Sequence, residues 1–121
     1  MKKMARFLDC TLRDGGYYND WNFSEDLIEE YLDAMPAAGI DTVELGFRSI
    51  KNDGFKGACA FTTDDFINSL NIPDEIEIGV MINASELIGG EKNLEETLEM
   101  LFPRKAGKSP VGLVRVACHV H

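Results

Sequence analysis

The chain has 121 residues, 45% of them hydrophobic and 27% charged, which excludes the disordered, collagenous and disulfide-scaffold classes. A length of this order suits one domain, residues 1–121. Twelve Lys+Arg against twenty-one Asp+Glu leave a formal charge of −9, so the chain is a poor match for a phosphate backbone and no nucleic-acid partner is expected. No apolar run approaches the ~20 residues that span a bilayer, and Met1 to Arg6 leads into no apolar signal segment. The three cysteines, Cys10, Cys59 and Cys118, lack C-x-x-C spacing. Reduced thiols in a cytoplasmic protein, away from any membrane, are the expectation.

In chain order, Phe7 to Leu12 reads as a short strand that ends at the loop signal Arg13-Asp14-Gly15-Gly16. Ser24 is a good N-cap, with Glu25 and Asp26 in the first turn where the helix dipole favours them. Leu27, Ile28, Tyr31, Leu32 and Met35 then fall on one helical face up to Gly39, with Pro36 in the last turn expected to cost a hydrogen bond and kink the helix. Thr42 to Phe47 is a second strand. Arg48 to Thr62 shows little periodicity and contains Gly54 and Gly57, the pattern of a functional loop or lid. A helix from Thr62 or Thr63 through Leu70, a strand from Ile76 to Ile82, a helix from Leu94 to Phe102 and a strand from Leu113 to Cys118 complete the reading. Strands separated by helices run parallel, which makes this an α/β chain with right-handed connections. Two architectures fit: a small open doubly wound sheet, or part of a (β/α)₈ barrel.

Ligands of parallel α/β folds sit beyond the carboxyl ends of the strands, which puts Arg13 and Asp14 where chemistry would occur. A carboxylate there can bind a hard divalent cation. A guanidinium can pair with a substrate carboxylate or stabilise an enolate oxygen, and the following glycines let a ligand approach. The plainer alternative is a strand-exit turn with a surface ion pair. Glu44, between Val43 and Leu45, is costly inside a strand unless paired, and Arg13 on the neighbouring strand is the expected partner. A solvent-facing Glu44 on an edge strand is the alternative. Arg48 and Arg115 near strand ends either meet an anionic substrate or serve as structural ion-pair partners. His119 and His121, at i and i+2 of a strand, share a face and could chelate a metal. Cys10 and Cys118 are expected to be inert core residues.

The stretch Leu8-Asp9-Cys10-Thr11-Leu12-Arg13-Asp14-Gly15-Gly16-Tyr17, followed by Val43-Glu44-Leu45-Gly46-Phe47-Arg48, resembles the opening of the DRE-TIM metallolyases. That HMGL-like group holds the pyruvate aldolases, HMG-CoA lyase and the isopropylmalate synthases. The resemblance is strongest to 4-hydroxy-2-oxovalerate aldolase-like proteins. The Asp, Arg and Glu that give the family its name match Asp14, Arg13 and Glu44, and Val114-Arg115-Val116-Ala117 resembles its fourth strand. The resemblance covers essentially the whole chain but only the N-terminal half of the family's barrel. It implies parallel (β/α) units forming the first half of a TIM (β/α)₈ barrel. It also implies a metal-dependent lyase acting on a 2-oxo acid or hydroxy-oxo acid. Asp14 would be a ligand to Mg²⁺ or Mn²⁺ acting as a Lewis acid, Arg13 would donate to the developing enolate oxygen, and Glu44 would hold Arg13.

The family's aldolases carry a catalytic histidine three residues after the Asp, where this chain has Tyr17. A phenol, with an ordinary pKa near ~10, is a poor base at neutral pH, so Tyr17 is retained as a catalytic hydrogen-bond donor. The family's metal-binding His-x-His lies on the seventh strand, so His119 joins Arg13, Arg48 and Arg115 as a substrate-binding candidate and the His119/His121 pair is not equated with the metal ligands. Tyr17, Tyr18, Trp21 and Phe23 are expected to cap the barrel mouth or pack under the first helix. A complete barrel needs ~250 residues, so the chain is expected to need the missing C-terminal half-barrel or self-association, and to show no appreciable turnover alone. Competing readings are a non-enzymatic half-barrel module, an acyl-CoA-dependent Claisen synthase or HMG-CoA lyase-like member, and a small phosphate or nucleotide binder. The last is disfavoured because Arg13-Asp14-Gly15-Gly16 matches neither a Walker loop nor G-x-G-x-x-G.

Overall fold

Each short apolar run pairs with the next one along the chain. The computed structural model describes residues 4–88 and 90–119. Strands β1 (Leu8–Asp9), β2 (Thr42–Phe47), β3 (Glu77–Asn83) and β4 (Val111–Ala117) form a parallel sheet in the order β1-β2-β3-β4. Asp9 lies opposite Val43, Val43 opposite Ile78, and Val80 opposite Val114. Sequence neighbours are spatial neighbours throughout, with no reversal of strand order. A barrel wall grows in this way, whereas a doubly wound sheet reverses at a switch point. The α/β fold is that of a half-barrel.

The connecting helices are α1 (Thr11–Gly15), α2 (Glu25–Ala34), α3 (Asp64–Ser69), α4 (Ala84–Ile88) and α5 (Leu94–Leu101). Ser24, Thr63 and Asn93 cap α2, α3 and α5, accepting from the backbone N–H of Leu27, Phe66 and Glu96 at 3.2, 3.2 and 2.9 Å. Each of these helices carries acidic residues in its first turn, matching the dipole. On β3, Ile78, Val80 and Ile82 are buried while Glu77, Met81 and Asn83 are half-buried. The period of two separates a helix-covered face from an open one. Ile28 and Leu32 of α2 and Ile67 of α3 join Val43, Leu45 and Ile78 in the core. On β4 the covering stops, and Val114 and Val116 are exposed. Among the described residues no helix is long and apolar enough to cross a membrane.

Several expectations are corrected. β1 ends at Asp9 rather than Leu12, because the Asp9 carboxylate accepts from the Thr11 N–H (3.0 Å) and from the Tyr31 hydroxyl, turning the chain into α1. Pro36 kinks nothing: α2 ends at Ala34, and the Leu32 carbonyl accepts from Met35 N–H (3.2 Å). The short helix α4 follows β3 directly. The 48–62 segment is not a lid along its whole length, since Cys59, Ala60 and Thr62 are buried and only its middle is exposed. Cys118 is exposed and Cys10 half-buried; the core thiol is Cys59, pushed up to about 12 by burial.

Candidate active site

Glu44 has no exposed surface, and an ionised carboxylate there requires partners. It has two. Arg13, just beyond β1, donates from Nε to Oε1 at 2.8 Å. Arg115 of β4 donates from Nε to Oε2 at 2.5 Å and from Nη2 to Oε1 at 2.8 Å. Arg115 spans β3 to do so, and Gly79, opposite Glu44 in register, places no side chain in between. Burial pushes the Glu44 carboxyl up, but the Arg115 and Arg13 guanidinium groups outweigh it and hold it below the ordinary carboxylate range. The expected Glu44–Arg13 pair is therefore present, and Glu44 is not a solvent-facing edge residue.

Arg13 is fixed on other sides as well. Its Nη1 lies 3.4 Å from Asp14 Oδ1, its Cζ lies 5.8 Å from the Phe47 ring centroid, and its carbonyl accepts from the Trp21 indole N–H at 2.8 Å. Among the described residues nothing accepts from Arg13 Nη2, which leaves one donor edge for a ligand. Asp14 has 72% of its side chain exposed at the strand-end mouth. Tyr17 is exposed there too, edge-on to Trp21 and Phe47. Tyr18 points into solvent and Phe23 packs against the core, so the expected aromatic group divides.

Arg48 takes the structural of its two expected roles. It is buried under the sheet, donating from Nε to the Thr62 carbonyl (2.8 Å), from Nη1 to the Leu101 carbonyl (2.9 Å) and from Nη2 to Asp64. Arg48 thus ties β2 to α3 and α5. Burial raises the Asp64 carboxyl, while Arg48, Ser109 and Arg104 bring it below its ordinary value. Arg115, predicted to touch substrate, is occupied by Glu44. His119 is exposed beyond β4, with no contact among the described residues joining it to Arg13, Glu44 or Arg115. His121 lies outside the described residues. Asp14 is the carboxylate expected to take a metal; among the described residues no group of three or more His, Cys, Asp or Glu could hold one. Phe47 and Gly79 were not singled out from the sequence, whereas Trp21 was named there among the aromatic residues expected at the mouth.

No family model matches the chain, and no curated protein matches it. Among solved structures, "Crystal structure of the N-terminal domain of a putative aldolase from Bacteroides vulgatus" matches with a TM-score of 0.76 and 31% identity over 93% of this chain. The chain spans about a third, 35%, of that protein's length. In fold and in nearly a third of its aligned residues, the chain is similar to an N-terminal domain described as that of an aldolase.

Proposed function

We propose that these residues are the N-terminal part of an aldolase-type lyase that makes or breaks a carbon–carbon bond beside a 2-oxo acid. The observation that carries this reading is the Arg13–Glu44–Arg115 cluster at the carboxyl end of a parallel sheet. A guanidinium already in position donates to the oxygen on which charge develops as the bond breaks, without reorganisation at that moment. Glu44 holds Arg13, and Arg115 keeps Glu44 ionised. Tyr17 offers the substrate a hydroxyl donor rather than a base.

A cation of the Mg²⁺ or Mn²⁺ kind takes about six oxygen ligands. Asp14 alone does not make that site, so the described residues do not fit a complete metal centre. We assign Asp14 as one ligand, joined by others from outside them. A second reading is a half-barrel that binds or assembles without catalysis. The exposed Val114 and Val116 support a partner that completes the barrel, either a C-terminal half or a second copy.

The test is metal-dependent release of pyruvate by the complete polypeptide that carries these residues. Asp14→Asn is expected to abolish the metal dependence, and Arg13→Lys to lower kcat about a hundredfold. No pyruvate release by the complete polypeptide would refute the aldolase reading; full activity in both variants and in EDTA would refute the roles given to Asp14 and Arg13. The 121-residue chain alone is expected to show no turnover.

A further inference from the structure

Beside Arg13 lies a cavity of about 130 Å³ that none of these roles uses. Tyr17, Trp21 and Phe47 form its walls, with Tyr17 4.8 Å from Trp21 and Trp21 5.4 Å from Phe47 between ring centroids. Ser49, Lys51, Lys56 and Asn83 give its polar lining. Phe47 both lines the cavity and carries the Arg13 guanidinium, so the cavity begins where the cluster around Glu44 ends.

Two observations mark it as built. Asp20 and Trp21 both have φ of 57°, a left-handed conformation that non-glycine residues keep only where their surroundings impose it. Here Lys56 Nζ pairs with Asp20 Oδ1 at 3.0 Å and sits 5.5 Å from the Trp21 ring centroid, and the Gly57 N–H donates to the Asp20 carbonyl at 2.7 Å. The second is charge. In a chain of net charge −9, two lysines converge on one aromatic cavity. Lys56 is shared with Asp20, whereas the Lys51 ammonium pairs with no carboxylate among the described residues; the Lys51 backbone N–H lies 3.5 Å from Glu86 Oε1.

We infer that this cavity binds the far end of the substrate, an apolar or aromatic body ending in a carboxylate or phosphate group. Aromatic walls take the body by stacking and burial, and an ammonium on a flexible stem takes the charge. That the ligand is a substrate rests on the aldolase reading; that it binds does not.

Trp21, the sole tryptophan, reports occupancy directly. Titration of this chain with phenyl phosphate is expected to give a saturable change in its fluorescence. The midpoint should be about tenfold lower than with benzyl alcohol, which has the ring without the charge, or with inorganic phosphate, which has the charge without the ring. Lys51→Met should weaken phenyl phosphate binding by about tenfold, while Lys105→Met, on the exposed turn after α5, should leave it unchanged. Equal response to benzyl alcohol, indifference to Lys51→Met with circular dichroism intact, or no saturable change would overturn the inference. If pyruvate release depends on Asp14 but phenyl phosphate does not bind, the cavity assignment alone fails. If phenyl phosphate binds as expected without aldol cleavage, the aldolase reading alone fails.

Discussion

Both Arg13 and Arg115 donate to the same Glu44 oxygen, so neutralising that carboxylate leaves two guanidinium groups facing each other. Glu44→Gln is expected to destabilise the chain by about 3 kcal/mol, the range for breaking a buried ion pair, as read by urea unfolding. Arg115→Met should cost only about 1 kcal/mol, because its side chain is 43% exposed and Arg13 still pairs with Glu44. Glu44 and Asp64 both have folded values held below the ordinary carboxylate range. Their contribution is complete above that range, near pH ~4, and is lost as pH falls through the folded values. The urea midpoint should therefore fall on acidification below about pH 4, and Asp64→Asn should flatten that slope. The Arg13–Glu44 pair was legible because a buried acid in an apolar strand needs a base. For Arg48 the two expected roles stayed open, because the residue type alone does not say that Asp64, at the start of α3, is its partner.

Among the elements, local chemistry was the most readable. Ser24 and Thr63 announce their helices because a cap bonds a backbone group only three residues away. Ser24→Ala should cost about 1 kcal/mol. The end of β1 was not readable in that way, since it depends on Tyr31, on α2, reaching back to Asp9. The 48–62 segment is fixed by close approach: a Cβ on Gly57 would lie 2.2 Å from the Trp21 carbonyl oxygen and 2.3 Å from Asn22 Cα. Gly57→Ala is expected to push this segment off Trp21, costing about 2 kcal/mol and shifting Trp21 emission to the red.

Across the whole molecule, outer-face valines on adjacent strands have opposite surroundings. Val80 on β3 has no exposed surface, while Val116 on β4 is 49% exposed. Val80→Ala should cost about 2 kcal/mol, and Val116→Ala less than about 0.5 kcal/mol, in parallel urea titrations of this chain. Comparable costs at both positions would mean that β4 is covered in solution by another copy.

By itself the sequence determined the order of the four strands and of α2, α3 and α5, the parallel sheet and the acid that must be paired, because periodicity, capping and the cost of a buried charge are local properties. Only the tertiary structure decided that Arg115 crosses β3 to the same acid, that Arg48 is held by Thr62, Leu101 and Asp64, and that Tyr17, Trp21 and Phe47 close on a cavity beside Arg13. Those outcomes depend on register between strands and on which face each side chain takes. A one-residue change of register reverses the face, and no spacing along the chain encodes it.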